Sequence, residues 1–245
     1  MRWLSYFGKC ILCGLLAMQA YFAIQIGLWS ILNPMSTAFQ RAERWRLCSW
    51  HWSCPIQSDW VAYNNISANL KRAVLVSEDD IFFQHKGVRV EDMQKAWEKN
   101  QRLAGKSKVA LRGGSTITQQ LAKNLFLSSE QNYFRKGQEL VITGLLELIL
   151  SKQRLFEIYL NSVEWGEGVF GVGAAAKHYF VTTPAALSRE QAAALASALP
   201  APKCFDKVQY CRKANIHFPT RQDFILENMD RVALAPVPRN HSGAR

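Results

Sequence analysis

The chain has 245 residues, with 30 Lys plus Arg against 19 Asp plus Glu, a formal charge of +11, and 49% hydrophobic residues. That content excludes a disordered polymer. The apolar residues are unevenly spread, and between Cys10 and Gln40 there is no Asp, Glu, Lys, Arg or His.

Within that stretch Ile11–Leu32 is about 22 residues, which at ~1.5 Å per residue extends roughly 33 Å, close to the hydrocarbon thickness of a bilayer. The run exceeds the roughly 7–15 residues of a signal-peptide core, and no convincing small-x-small cleavage site follows it. An uncleaved anchor over residues 10–33 is therefore favoured over its rival, a cleaved signal. Arg2 and Lys9 precede the span while Arg41, Arg44 and Arg46 follow it, so the positive-inside rule does not fix its orientation.

Cysteine usage bears on that question. Cys10 and Cys13 lie in the anchor, whereas Cys48 with Cys54 and Cys204 with Cys211 are short-spaced pairs beyond it. No C-x-x-C pair or His cluster there suggests zinc, so the pairs read as disulfides of an oxidising compartment, with four free thiols as the plain alternative. The disulfide reading goes with a short cytoplasmic tail at 1–9 and the bulk of the chain outside.

Residues 34–60 read as a juxtamembrane linker. Arg41–Asp59 is taken as loop, with Trp45, Trp50, Trp52 and Trp60 suited to a membrane interface. From Ile66 onward the apolar spacing is helical: Leu70, Val74 and Leu75, then Leu121 and Leu125, then Leu140 through Ile158, then Leu187 to Leu199. No alternating strand of useful length is legible, and the fold class is all-α. Thr116-Ile-Thr-Gln119 and Ser188-Arg-Glu-Gln191 have capping-box form and mark helix starts. Gln94–Gly114, with Lys95, Lys99, Arg102, Lys106, Lys108 and Arg112, reads as a basic helix end followed by a flexible loop. The globular part spans 61–235, enough for a sizeable core in one domain, with a flexible tail at 236–245.

Three clusters carry candidate chemistry. In Glu78-Asp79-Asp80-Ile-Phe82-Phe83-Gln-His85-Lys-Gly87 a carboxylate group sits beside two phenylalanines, where desolvation and like charge raise the pKa of a carboxyl towards that of a base usable near neutrality. Solvated acids beside a glycine turn are the plain alternative. In Gly113-Gly114-Ser115-Thr116-Ile117-Thr118-Gln119-Gln120 a glycine pair precedes a helix N-terminus rich in hydroxyls and amides, with Lys123 and Asn124 one turn on. That suits an anion as well as an ordinary cap. In Arg135-Lys136-x-x-Glu139, Arg135 and Glu139 share a helix face at i,i+4, which by itself is an ordinary ion pair.

Gly166-Glu-Gly168-Val-Phe-Gly171 has the G-x-G-x-x-G form, but it follows helical Leu160-Asn161 and no βαβ unit surrounds it, so a close-packed glycine turn is the reading. The +11 charge would suit nucleic acid, yet beside an apolar anchor an anionic membrane surface is the better partner.

Taken together these segments resemble the family 51 glycosyltransferases that polymerise peptidoglycan, in its monofunctional branch. Glu78-Asp79-x-x-Phe82-x-x-His85-x-Gly87 is similar to the family's first motif, and Gly113-x-Ser115-Thr116-Ile117-Thr118-Gln119-Gln120 to its second. Arg135-Lys136-x-x-Glu139 with Glu147, Ser151-Lys152 and Glu157-x-Tyr159-Leu160-Asn161 resembles the third. The fourth corresponds to Gly166-x-Gly168-x-x-Gly171 with Ala174-Ala175 and Tyr179-Phe180, and the fifth to Leu187-Ser188 through Pro200 with Pro202. The likeness runs from Ile66 to Met229 in order. Departures are Thr143 for alanine, Leu155-Phe156 for Ile-Leu, and Val181-Thr182 where Gly-Lys often follows Tyr-Phe, which puts that turn in doubt.

The resemblance implies a lysozyme-like, two-lobed domain over 61–235, with a hydrophobic jaw dipping into the membrane and lipid II as substrate. It makes Glu78 the general base on the acceptor 4-hydroxyl, which attacks C1 of N-acetylmuramic acid and displaces undecaprenyl pyrophosphate with inversion. Glu139 is the second essential carboxylate, orienting donor or cation. Lys123 and Arg135 face the pyrophosphate; Ser115, Thr116, Gln119 and Gln120 line the donor side; Asp79, Phe82 and His85 shape the first motif; Asn124 and Lys136 join the substrate-binding set. Glu147 is ranked lower, as a structural partner of the Ser151-Lys152 turn. No tightly bound cofactor is implied, with a divalent cation, Mg or Mn, at the pyrophosphate as an option. The implied location is the bacterial inner membrane, single-pass, with the domain periplasmic, and the implied partners are lipid II, the growing strand, membrane lipid, other cell-wall synthases and division proteins, without nucleic acid. A lysozyme-like hydrolase and a catalytically silent scaffold are the competing readings. With no Ser-x-x-Lys and no Lys-Thr-Gly, transpeptidation is not expected.

Overall fold

A computed structural model describes residues 2–48, 56–89, 94, 115–128, 132–213 and 217–234. The basic stretch at 95–114, Trp50, Trp52 and Cys54 lie outside the described residues.

Helix α1 runs over Arg2–Leu28, and a 23-residue part of it, Tyr6–Leu28, is long and apolar enough to cross a membrane. It begins ahead of the span read from the sequence, because Arg2–Lys9 contains no proline, and it stops short of Leu32. Its last bonds tighten to three-residue spacing, from Ser30 N to Gly27 O and from Ile31 N to Leu28 O, ahead of Pro34. Arg154 then caps the exposed carbonyls, donating to Trp29 O at 2.8 Å and to Leu32 O at 2.6 Å.

The presumed linker is not all loop. Helix α2, Ala38–Cys48, starts at a reciprocal cap in which Thr37 N donates to Gln40 Oε1 and Gln40 N to Thr37 Oγ1. The Trp- and Cys-rich segment after it masked this box in the sequence. Trp45 is exposed, but Trp60 packs on the core and under the Arg154 guanidinium, so it does not serve an interface.

The remaining helices are α3 (Ala68–Glu78), α4 (Ile117–Phe126), α5 (Tyr133–Ile149), α6 (Lys152–Ser162), α7 (Gly171–Phe180), α8 (Arg189–Ala198), α9 (Pro202–Asp206) and α10 (Phe218–Asn228). They pack in two groups: α3 with α8 and α10, and α4 with α5 and α6, against which the C-terminal half of α1 also lies. Gln19 and Gln138 exchange amide bonds across the α1–α5 contact, and Phe22 and Trp29 close on Phe126. Ala192, Ala193 and Ala196 are buried on α8, and these small side chains let α3 approach closely. Leu70, Val74, Leu75, Leu121 and Leu125 are all buried, as their spacing predicts.

The all-α class holds with one addition. Three strands, β1 (Gln57–Ser58), β2 (Glu164–Gly166) and β3 (Val169–Phe170), form a small sheet in the order β1-β3-β2, parallel at Gln57↔Val169 and antiparallel at Glu164↔Phe170. Strands of two or three residues are too short to show alternation. The glycine run forms the close-packed turn expected: Gly168 and Gly171 have φ of +73° and +76°, and a Cβ on Gly171 would lie 2.6 Å from Asn161 O.

Candidate active site

Glu78 is the last residue of α3, where the helix ends against α4 and α10. Its carboxylate is held from three sides. Gln120 Nε2 donates to Oε2 at 2.9 Å, Ser77 Oγ donates to Oε1 at 2.8 Å, and Arg221 Nη2 donates to Oε1 at 3.1 Å. Tyr159, buried on α6, donates its hydroxyl to Gln120 Oε1 at 3.1 Å, which turns the amide so that its NH2 faces Glu78. Burial raises the Glu78 pKa above 4.5 more than Gln120, Ser77 and Arg221 lower it. The carboxyl is thus largely buried, with 12% of its side chain still open to solvent.

Asp79, the next residue, faces the other way. Its side chain is buried, accepts from Ile117 N at 3.1 Å at the start of α4, and lies 2.9 Å from His85 Nε2. Thr116 caps α4 with Gln119 in the predicted box and donates its hydroxyl to Gly87 O at 2.6 Å. Gly87 has a φ of +84°, and a Cβ there would meet Glu147 at 2.7 Å and Thr143 at 2.8 Å, so only glycine fits. Phe82 is fully buried against Phe156. Asp79, Phe82, His85, Thr116 and Gln119 therefore hold the first two motifs together from behind the wall, and of the second motif Ser115 and Gln120 are the half-buried ones.

Because α4 repeats every 3.6 residues, Gln120, Lys123 and Asn124 share a face. Asn124 is buried, and Lys123 is half-buried with no carboxylate or carbonyl bonded to its ammonium among the described residues. Burial lowers the Lys123 pKa; Glu139 and Glu78 act to raise it, while Arg135 and Lys136 push it down. On α5 the predicted i,i+4 pair forms, Arg135 Nη1 donating to Glu139 Oε2 at 2.9 Å, and Lys136 Nζ donates to Glu139 Oε1. Glu139 is buried and shared by Arg135 and Lys136, and Lys123 lies within the reach of its charge. Glu147 accepts from Lys152 at 2.8 Å and from Thr118 at 2.5 Å, the turn contact expected of it. Thr143 satisfies its extra hydroxyl on Glu139 O at 2.7 Å.

Arg221 as a partner of Glu78 has no local signal in the sequence, and Tyr159 appears there only as a member of the third motif. The Cys204–Cys211 disulfide is present, and Cys48 is disulfide-bonded as well. No group of three or more His, Cys, Asp or Glu arranged to hold a metal occurs among the described residues.

The arrangement sets a carboxylate raised by burial near a cluster of basic side chains, Lys123, Arg135 and Lys136, groups suited to a transfer with an anionic leaving group. The model of a family described as transglycosylase matches residues 50–230. A protein of Cupriavidus metallidurans (strain CH34) named biosynthetic peptidoglycan transglycosylase is 59% identical over 235 residues, 96% of this chain and 99% of its own. Proteins of the same name from Cupriavidus pinatubonensis and Ralstonia nicotianae are 56% and 54% identical, over 96% and 97% of this chain and 92% and 99% of theirs.

Proposed function

The chain belongs to the transglycosylase family, and from that premise we propose that it is a peptidoglycan glycosyltransferase that polymerises lipid II into glycan strands. The observation that carries the reading is Gln120 on α4, which donates to Glu78 Oε2 at 2.9 Å and shares its helix face with Lys123, whose ammonium is bonded to no carboxylate or carbonyl among the described residues.

Glu78 takes the proton of the acceptor's N-acetylglucosamine 4-hydroxyl. The freed oxygen forms a bond to C1 of the N-acetylmuramic acid at the reducing end of the growing strand. The bond from C1 to the diphosphate oxygen breaks, the configuration inverts, and undecaprenyl pyrophosphate leaves with the electron pair. Base assistance of this kind contributes about 10²–10⁴-fold. Lys123 and Arg135 donate to the leaving diphosphate, whose charge rises as the bond breaks. Glu139 holds Arg135 and Lys136 in place for that task. Ser115, Gln120 and Asn124 complete the donor side.

No group of three or more His, Cys, Asp or Glu among the described residues forms a dedicated metal site, so a divalent cation at the diphosphate would draw its ligands chiefly from the diphosphate oxygens and water. Hard cations take several oxygen ligands, and Glu139, the carboxylate of the α5 cluster, is already shared by two basic side chains.

The apolar α1 supports a single-pass anchor in the bacterial inner membrane, and the Cys204–Cys211 bridge supports a periplasmic domain. Lipid II and the growing strand are the substrates, membrane lipid surrounds the anchor, and other cell-wall synthases and division proteins are the partners this location offers.

The test is incubation of the detergent-solubilised protein with labelled lipid II, with and without Glu78→Gln. Lysozyme-sensitive polymer from the unaltered protein alone supports the transferase and its base. More than a tenth of the rate in the variant removes Glu78 from the role, and unchanged kcat/KM in both Lys123→Ala and Arg135→Ala removes the diphosphate site.

A further inference from the structure

Helix α2 lies outside residues 50–230, which the family model matches, yet it packs directly on α4, the helix that carries Gln120 and Lys123. The Phe39 ring, on the first turn of α2, stands 5.8 Å from Lys123 Nζ. Thr37, which caps this helix, is 1% exposed, so the N-terminal end of α2 is seated in the protein.

The other end of α2 is gripped by charge. Glu43 is 7% exposed and accepts from Lys203 Nζ at 2.7 Å and from Arg46 Nε at 2.9 Å. Arg46 continues to Glu167 at 2.6 Å on the β2–β3 turn, where Lys207 and Tyr210 also donate. Lys203 adjoins Cys204 and Tyr210 adjoins Cys211, so the disulfide fixes the segment that supplies these donors. One juxtamembrane helix is thus locked at Glu43 and delivers an aromatic ring at Phe39.

The chemistry of the ring explains what it does for Lys123. An aromatic face stabilises an ammonium without taking its hydrogen-bond donors, whereas a carboxylate would neutralise it and occupy them. A lysine so placed keeps its N–H groups for an incoming anion, and the ring face favours its charged form against the burial that disfavours it.

We infer that α2 is the membrane-side wall of the diphosphate site, with Phe39 holding Lys123 ready for the anion and Glu43 the positioning residue that locks the helix there. The inference rests on the reading of Lys123 as a diphosphate donor. Neither Phe39 nor Glu43 touches the reacting atoms; both act through Lys123.

Two measurements on the full-length, detergent-solubilised protein test it: binding of inorganic pyrophosphate by calorimetry, and KM and kcat for lipid II. Phe39→Ala is expected to raise the pyrophosphate Kd and the lipid II KM about three- to tenfold with kcat changed less than twofold, the size of one partly desolvated cation–π contact. Phe39→Trp is expected to restore both, and Glu43→Gln to reproduce the Phe39→Ala pattern. Thermal unfolding of Phe39→Ala within a few degrees of the unaltered protein separates this from general loosening. Unchanged Kd and KM in Phe39→Ala, or a fall in kcat alone, overturns the inference. If Lys123→Ala also binds pyrophosphate as the unaltered protein does, it is the diphosphate reading that fails, and the two failures are told apart by that control.

Discussion

Glu78 and Arg221 meet across 143 positions of sequence, Nη2 of the arginine donating to Oε1 of the glutamate at 3.1 Å and to Ser77 O at 2.9 Å. The contact ties α10 to the end of α3 and sets the balance on the base. Burial raises the Glu78 pKa, and Arg221 is among the groups that pull it back.

Removing the arginine should therefore move the acidic limb of the rate profile. In its proposed role Glu78 acts when deprotonated, so activity should fall as pH drops through its pKa. In Arg221→Ala that pKa rises further and the limb shifts to higher pH, while Arg221→Lys, which keeps a cation, shifts it less. The measurement is kcat/KM for lipid II from pH 5 to 9. A limb that stays in place in Arg221→Ala would show that the guanidinium only braces α10.

Local chemistry was legible in the sequence, and distant pairing was not. The capping boxes at Thr116 and Ser188 form as read, because a side chain and an amide three residues apart need nothing else. The i,i+4 pair Arg135–Glu139 and the close-packed glycine turn at Gly171 follow from the same short range. Helix α2 was missed although Thr37 and Gln40 form such a box, since the aromatic and cysteine residues that follow suggested a loop. Arg221 was invisible, and Tyr159 stood only as a member of the third motif, because both reach Glu78 through the packing of α10 and α6. Burial also sorts the motif residues in a way that residue type cannot. Asp79 and Thr116 lie as close in sequence to the site as Glu78 and Gln120, yet their side chains point into the wall.

Asp79 gives the second prediction. Its fully buried side chain serves Ile117 N and His85 together, so it joins the first motif to the start of α4. Asp79→Ala leaves an amide and an imidazole without their partner and should cost about 3–5 kcal/mol, as breaking a buried pair does. Asp79→Asn keeps one acceptor for the amide and should cost less. Urea unfolding of the two variants checks the order, and equal stability of Asp79→Ala and the unaltered protein would contradict it.

Val181 gives the third. It ends α7 in the left-handed region, at φ +53° and ψ +39°, with its side chain exposed. This is the position where the resembling family often has glycine, and a β-branched residue there carries about 1–2 kcal/mol of strain. The exposed side chain returns little by packing. Val181→Gly should therefore stabilise the protein by about 1 kcal/mol, after allowance for the freer unfolded chain. A lowered melting temperature would show that the turn is not held as described.

Glu164 gives the last, a pH dependence outside the candidate site. It sits on β2 with its side chain mostly buried, facing Lys203 Nζ at 3.6 Å, the amide of Gly168 at 3.4 Å and the carboxylate of Glu43. Burial raises its pKa from 4.5 to about 7; Glu43 adds to the rise, and Lys203 and the Gly168 amide only partly offset it. The folded state therefore favours the protonated carboxyl, and its contribution to stability is fully present below about pH 4.5 and is lost as pH rises through about 7. At about 1.36 kcal/mol per pH unit the interval corresponds to at most ~3 kcal/mol, less whatever solvent screens. Glu164→Gln carries the neutral shape at every pH. It should match the unaltered protein near pH 5 and exceed it near pH 8, which urea midpoints at the two pH values would measure. Equal midpoints at pH 8 would mean that Lys203 keeps Glu164 ionised without cost, and that the charge network holding α2 is indifferent to pH over this range.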